Sequence, residues 1–93
     1  MKRSLRIHPK DNVAVVLEEV ETGDTVVYEG GEVVSLEKIE FPHKIAIEDI
    51  EQGAEILKYG ESIGYAMCLI RKGEFVHTHN LDCERAREGR ILK

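Results

Sequence analysis

Three short stretches decide the fold class: VETGDTV at residues 20–26, IEQGAEI at 50–56 and IRKGEFV at 70–76. Each reads as an apolar residue, two other residues, a glycine, two more residues and a second apolar residue. Glycine adopts left-handed backbone conformations without steric cost, so the pattern predicts a tight turn between two short strands at each copy. Three such turns in 93 residues predict a mainly β fold that is dominated by turns.

The apolar runs around these turns have the length and residue types of strands. Valine, isoleucine and tyrosine are enriched there, and such side chains fit a pleated surface. The predicted strands cover residues 12–20, 25–29, 32–39, 44–50 and 54–59. The last run, LDCERAREGRILK, is polar and suits a short helix capped by Asp82 or an irregular C-terminal tail. We therefore expect one β domain over residues 1–81 and a tail or linker over 82–93.

Composition and charge argue against several classes of function. Hydrophobic residues make up 42% of the chain and charged residues 33%, which is typical of a globular domain. The net charge is −5 and the basic residues form no stripe, so nucleic acid is not an expected partner. No apolar run could cross a bilayer and no signal peptide is present, so we expect a cytoplasmic protein without a membrane partner. Cys68 and Cys83 are expected to be free thiols, with Cys68 in the core.

The four histidines lie in polar clusters at predicted strand ends or turns, where binding sites concentrate. His77 and His79 are two residues apart, so in an extended segment both imidazoles would face the same side and could bind one metal ion. Asn80 beside them could hold a hydroxyl group. The chain offers no obvious set of four zinc ligands, which favours an open, incomplete site. The alternative is that these residues are only the polar end of a strand.

Three further clusters supply candidate residues: His8 with Asn12, His43 with Lys44, and Lys58 with Tyr59. A lysine next to a tyrosine can bind an anionic group or take part in proton transfer. Each cluster by itself also has a structural explanation, since proline, aspartate and asparagine form turns and lysine is usually at the surface.

The segment KYGESIG at 58–64, followed at this distance by VHTHN at 76–80, resembles the SAF-type domain found in altronate and galactarate dehydratases and in the small subunits of sulfolactate sulfo-lyases. The resemblance extends from Ile7 to Leu81 and implies a β-clip fold, in which strongly bent hairpins surround a small core. One residue departs from the family pattern. Pro42 directly precedes His43 where the family usually has a glycine, so the conformation of the 40–44 loop stays open.

The resemblance also implies a chemistry, the removal of water from a sugar acid to give a 2-keto-3-deoxy acid. Such a reaction needs a base, an acid and a divalent metal that stabilises the enolate. Fe²⁺ is the leading metal, with Mn²⁺ and Mg²⁺ as alternatives. The implied catalytic residues are Lys58, His77 and His79, the last two also as metal ligands. The implied substrate contacts are His8, Asn12, His43, Lys44, Tyr59 and Asn80.

A larger partner is implied as well, because family members either fuse this domain to a catalytic region or make it as a separate small subunit. The chain resembles the separate subunit, although a fragment of a longer chain would look the same. We expect part of a hydro-lyase acting on altronate, galactarate or a similar sugar acid, inactive without a large subunit that shares the metal-dependent site. The alternatives are a small subunit of sulfolactate sulfo-lyase and a non-catalytic module that binds acidic sugars. A homo-oligomer is also open.

Overall fold

The computed structural model describes residues 1–82, which form nine short strands and no helix. In chain order the strands are β1 (Lys2–Leu5), β2 (Val13–Val16), β3 (Thr25–Tyr28), β4 (Gly31–Val34), β5 (Lys44–Ala46), β6 (Glu55–Lys58), β7 (Glu61–Ala66), β8 (Phe75–Val76) and β9 (Leu81–Asp82). The mainly β class is therefore confirmed. The expected tail lies outside the described residues, apart from Asp82, which belongs to β9.

Two sheets make up the domain. The larger has the strand order β4-β3-β1-β2-β5-β8, and the smaller has the order β6-β7-β9. Neighbouring strands are antiparallel except β1 and β3, which are parallel. Buried apolar side chains form two clusters, one containing Val20 and Ile39 and the other containing Ile50 and Ile70. The chain is elongated, with extents of 46 × 23 × 20 Å, as expected for bent hairpins around a small core.

The repeat that predicted the fold occurs four times in the described chain. Gly23, Gly53 and Gly73 have φ values of +91°, +85° and +98°, so all three predicted turns are confirmed. The fourth copy is IEFPHKI at 39–45, where Pro42 stands in place of the glycine and follows a cis peptide bond. In every copy a backbone N–H donates to the carbonyl three residues earlier at 2.8–3.0 Å. The 40–44 loop thus contains a β-turn at the same place in the repeat and with the same hydrogen bond, although its backbone conformation differs from that of the glycine turns.

The first residue of each copy pairs with that of another copy. Val20 bridges Ile39 and Ile50 bridges Ile70, each pair through two backbone hydrogen bonds of 2.7–2.9 Å. All four side chains are buried. Each bridge closes one half of the domain, which consists of a turn, a hairpin and a bend. The β3–β4 hairpin of the first half therefore corresponds to the β6–β7 hairpin of the second.

Replacing the turn glycines should reduce stability in a defined order. Gly53→Val places a β-branched residue at φ +85°, where left-handed backbone costs about 1–2 kcal/mol, although a Cβ there has open space. Gly73→Ala should lose more, about 2–3 kcal/mol, because its Cβ would also clash with the Val34 carbonyl oxygen. Guanidinium denaturation measures both, with Gly23→Ala as the control for strain in open space. Equal losses of stability for Gly23→Ala and Gly73→Ala would show that the clash with the Val34 carbonyl oxygen has no effect.

Two expectations about the chain need correction. Cys68 is a free thiol but is exposed, because β7 ends at Ala66 and the chain bends at Met67 instead of continuing through the core. The predicted strands were also too long and left out β1, β7 and β9, whose polar or glycine-containing segments carry weak strand signals. Within residues 1–82 we find no helix of the length and apolar character that a membrane span requires.

Candidate functional site

A surface pocket of about 270 Å³ lies where three separate segments meet. Lys44 comes from β5, Lys58 is the last residue of β6, and His77 follows β8. The pairing of β5 with β8 places Lys44 opposite Val76, one residue before the histidine. The residues that line the pocket are Lys44, Lys58, Ile63, His77, Thr78 and Leu81.

The pocket is positively charged, although the whole chain has a net charge of −5. Neither Lys44 nor Lys58 forms an ion pair with a carboxylate of the described chain, and the pocket wall contains no acidic residue. Burial lowers the pKa of Lys44, and the neighbouring charge of Lys58 lowers this pKa further. Two amines that face one cavity without a counter-ion form a site suited to a small anion.

His77 contributes a neutral imidazole to the same pocket. Burial lowers the pKa of His77, and the nearby His43, Lys44 and His79 add to this lowering. Since an unperturbed histidine has a pKa of about 6.5, the ring is uncharged at neutral pH. A neutral imidazole can accept a proton or bind a metal ion.

Phe75 brings three imidazole rings together. Its ring centroid lies 5.3 Å from that of His43, 5.6 Å from that of His77 and 5.2 Å from that of His79. His43 and His77 also contact each other, edge to face, at 4.8 Å. The Nδ1 atom of His43 lies 2.9 Å from the Glu40 carbonyl oxygen, which can only accept, so Nδ1 carries the proton. Sequence reasoning missed Phe75, whose contacts with the histidines depend on the folded chain.

The segment from His77 to Asn80 is a turn, and the expectation that it is extended was wrong. The N–H groups of Asn80 and Leu81 both donate to the His77 carbonyl, at 3.0 and 2.8 Å. The Asn80 side chain causes this turn, because its Oδ1 accepts the His77 N–H at 3.0 Å. His77 lies in the pocket beside Lys58, whereas His79 is exposed and does not line it.

Two candidate substrate contacts, Asn12 and Asn80, have buried amides that bind the backbone. Asn80 is 4% exposed, and its Nδ2 donates to the Phe75 carbonyl at 2.8 Å. Asn12 donates to the Glu55 carbonyl at 2.9 Å and accepts the Leu57 N–H at 2.8 Å, which fixes the edge of β6. Both side chains therefore position the elements that carry Lys58 and His77. Substrate contact by either amide stays a prediction.

His8 and Tyr59 lie at the tip of the β6–β7 hairpin. Tyr59 and Gly60 have φ values of +58° and +81°, which is typical of a two-residue type I′ turn. The His8 ring packs so closely on Gly60 that a Cβ there would lie 2.8 Å from His8 Cδ2. Lys58 Nζ is 5.1 Å from the centroid of the Tyr59 ring, so that ring lies next to an amine of the pocket. His8 itself lines a different surface cavity.

Asp11 holds this hairpin tip, and sequence reasoning missed its role. Its carboxylate accepts backbone N–H groups from His8 at 3.0 Å, Tyr59 at 2.9 Å and Gly60 at 2.7 Å. Burial acts to raise the pKa of Asp11, but these hydrogen bonds outweigh it, so the pKa is lowered overall. The position of Asp11 in a turn-forming cluster indicates only the local bond to His8. The bonds to residues 59 and 60 could not be predicted from the sequence, because they join segments that are far apart in the chain.

The described residues could supply only part of a metal shell. Between residues 1 and 82 no group of three or more histidine, cysteine, aspartate or glutamate side chains could hold a metal ion. His77 and His79 both contact Phe75, and a neutral imidazole is the form that binds metals. The described residues could therefore supply at most two ligands to one metal ion, and its other ligands would have to come from the substrate or from a second chain.

The fold and the pocket define a small all-β domain of the β-clip class with a cationic surface pocket. The sequence profile described as the altronate/galactarate dehydratase SAF domain matches residues 2–84. The chain belongs to this family.

Named relatives include dehydratases and a sulfo-lyase subunit. The chain is 41% identical over 76 residues to an altronate dehydratase from Escherichia coli (strain K12), a match covering 82% of the chain but 15% of that enzyme. It is 36% identical over 80 residues to an altronate dehydratase from Bacillus subtilis, covering 86% of the chain and 16% of the relative. It is 33% identical over 87 residues to (2R)-sulfolactate sulfo-lyase subunit alpha from Chromohalobacter salexigens, covering 85% of the chain and 93% of the relative. The chain thus spans about one sixth of the dehydratases it matches.

Proposed function

We propose that this chain is the SAF domain or small subunit of a hydro-lyase that acts on a sugar acid, and that its pocket binds the carboxylate of the substrate. The relatives named above are altronate dehydratases and a subunit of a sulfolactate lyase, and the matching family profile is that of altronate and galactarate dehydratases. All three compounds carry a carboxylate next to a hydroxyl group. The observation that carries the proposal is the pocket, in which Lys44 and Lys58 have no counter-ion among residues 1–82 and lie beside the neutral imidazole of His77.

Lys44, Lys58 and His77 each have a role in such a reaction. The amines of Lys58 and Lys44 hold the carboxylate and stabilise the negative charge that develops on it as the enolate forms. His77 accepts the proton from the carbon next to the carboxylate, and the hydroxyl group on the following carbon leaves with a proton from an acid. Tyr59 and His43 do not line the pocket, but they lie beside Lys58 and His77 and would contact the remaining hydroxyl groups of a substrate that extends beyond it.

A divalent metal, with Fe²⁺ as the leading candidate, would stabilise the enolate further. Its candidate ligands in this chain are His77 and His79. A ring nitrogen that binds the ion cannot accept the substrate proton, so a metal-bound His77 would leave proton transfer to another group. In either case residues 1–82 supply too few ligands and no evident acid, so we expect a larger subunit to complete the site and the isolated chain to be inactive.

A second candidate function is that of a small subunit of a sulfolactate sulfo-lyase. The specific support is length, since the match covers 93% of subunit alpha in Chromohalobacter salexigens. A pocket with two amines would hold a carboxylate or a sulfonate, and the proton would be taken in the same way. The two candidates differ in the leaving group, which is water in one case and sulfite in the other.

The isolated chain should bind small hydroxy acids in this pocket with a Kd of about 1 mM, since few contacts are available without the partner. We expect chemical-shift titrations with altronate, galactarate and sulfolactate to perturb the amides of residues 44, 58 and 77. Lys44→Gln and Lys58→Gln should each weaken binding about 5- to 10-fold, whereas Lys72→Gln, outside the pocket, should not. Undiminished binding by both pocket variants would refute the proposal.

The same titration has a defined pH dependence. An amine binds anions only when protonated, and the pKa of Lys44 is lowered. Binding is therefore strongest below this lowered pKa and weakens as the pH rises through it, before an ordinary lysine with a pKa of about 10.4 would lose its charge. In the Lys44→Gln variant, anion binding should no longer weaken in the pH range between the lowered pKa of Lys44 and the pKa of an ordinary lysine.

A further inference from the structure

Four bends occupy equivalent places in the repeat, each between the end of a strand and a bridge residue. In three of them an apolar residue is followed by two charged residues, in the sequences LEE at 17–19, LEK at 36–38 and IED at 47–49. The fourth, Met67-Cys68-Leu69, is apolar throughout and is called the apolar bend below. The sequence of this bend therefore departs from the rule that the other three follow.

Charged residues in the other three bends bind within the domain. A carboxylate in each accepts a backbone N–H from a neighbouring segment at 2.8–2.9 Å. The pairs are Glu18 with Arg3, Glu37 with Phe75, and Asp49 with Lys72. The apolar bend provides no such bond, so the fold does not explain its residues.

Leu69 occupies the place that Lys38 has in the first half of the domain. Glu19 and Lys38 directly precede the two residues of one bridge, and their side chains form an ion pair at 3.2 Å. Asp49 and Leu69 directly precede the two residues of the other bridge. The second half thus has an apolar side chain where the first has the cation of an ion pair.

The apolar bend is exposed to solvent. Met67 is 49% exposed, Leu69 is 48% exposed, and Cys68 is also exposed. Three adjacent exposed apolar residues differ from the single apolar residues scattered over an ordinary protein surface, and they become a contact site when neighbouring surface extends them. Three side chains cover far less than the roughly 800 Å² per partner that a stable dimer buries. The bend therefore suits one part of a wider interface with a large chain, not a contact between two copies on its own.

The apolar bend also adjoins the candidate site. The Met67 N–H donates to the Asn80 carbonyl at 2.9 Å, and the Asn80 side chain holds the turn that begins at His77. A chain that approaches His77 and His79 to complete the site lies next to this bend.

We infer that the apolar bend is an anchor that docks into an apolar recess of the large lyase chain. This inference rests on the proposed function, in which such a chain completes the active site. It adds the surface through which the two chains meet and the chemistry of the contact. Burial of apolar side chains next to the pocket would also exclude water from the reacting groups.

The test uses the complex with the large chain that restores turnover when mixed with this one. Cys68→Glu combined with Leu69→Glu gives this bend the charge pattern of residues 17–19, which the fold already accommodates. We expect this double variant to bind the large chain at least about 30-fold more weakly by interferometry, as for loss of a buried anchor. Leu36→Glu, at the place equivalent to Met67 and 51% exposed, should leave the affinity unchanged.

The native thiol gives a second readout. In a Cys83→Ser background Cys68 is the only cysteine, and its reaction with a maleimide should slow about 10-fold or more when the complex forms, because docking buries it. Undiminished affinity of the double variant, unchanged thiol reactivity, or a wild-type chain that binds no large chain would each overturn the inference. The anion titration of the isolated chain is independent of all three outcomes, so failure here and failure of the pocket are distinguishable.

Discussion

Asp11→Ala is expected to destabilise the domain by about 3–4 kcal/mol, the largest loss of stability for any single substitution considered. The carboxylate is 2% exposed and accepts three backbone N–H groups, two of them from the β6–β7 hairpin. Its removal leaves these donors without a partner and detaches the hairpin tip from the 7–12 loop. Guanidinium denaturation followed by circular dichroism measures the change.

Asp49→Ala is the matched control. Its carboxylate is exposed and accepts one backbone N–H, from Lys72 at 2.9 Å, so a loss of at most about 1 kcal/mol is expected. The stabilisation by Asp11 also depends on pH in a defined direction. Because the pKa of Asp11 is lowered by folding, its contribution is complete above the unfolded value of about 3.9 and disappears as the pH falls through the folded value. Similar losses of stability for the two variants at pH 7 would show that the three hydrogen bonds of Asp11 stabilise the domain no more than the single bond of Asp49.

The turns could be predicted from the sequence because their cause is local. A glycine at a fixed distance between two apolar residues is sufficient to indicate a left-handed turn, as Gly23, Gly53 and Gly73 show. The fourth copy was not predicted because Pro42 replaces the glycine, and only the hydrogen bond from His43 to Glu40 shows that a turn lies at the same place.

The site was predicted only in part, because its contacts join distant segments. The sequence named Lys44, Lys58 and His77 as separate candidates, and only the folded chain, in which β5 pairs with β8, shows that the three side chains line one pocket. Sequence spacing also failed for the turn after β8. Period-two alternation assumes an extended chain, whereas the amide of Asn80 binds the backbone of His77 and forms a turn.

These contacts place the pocket at the junction of the two sheets. β5 and β8, which bring Lys44 and His77 together, belong to the larger sheet, whereas Lys58 comes from the smaller one. Asn12 binds the edge of β6 and Asp11 binds the tip of its hairpin, so residues just before β2 fix the position of Lys58. A pocket of this kind changes shape when the two sheets move relative to each other. Asp11→Ala should therefore weaken anion binding as well as stability.

His77→Ala should lower the turnover of the complete enzyme by about 100-fold or more, since loss of a general base typically removes a factor of 10²–10⁴. The folding stability should change little, by about 1 kcal/mol or less, because the ring is only partly buried. The rate should also fall as the pH drops through the lowered pKa of His77, because only the neutral ring accepts a proton. A turnover assay of the chain mixed with its large subunit, beside a circular-dichroism melt, measures both effects.

His8→Ala is the control for this experiment, because His8 lies at the hairpin tip and lines a different cavity. It should retain most of the activity, and the isolated wild-type chain should show none. His79→Ala separates the two possible roles of the pair. A loss similar to that of His77→Ala, accompanied by weaker metal binding to the complete enzyme, would indicate a shared metal ion, whereas a small loss would leave His77 as a base acting without it. If His77→Ala unfolds the domain while His79→Ala leaves turnover intact, both histidines are structural and the proposed site is wrong.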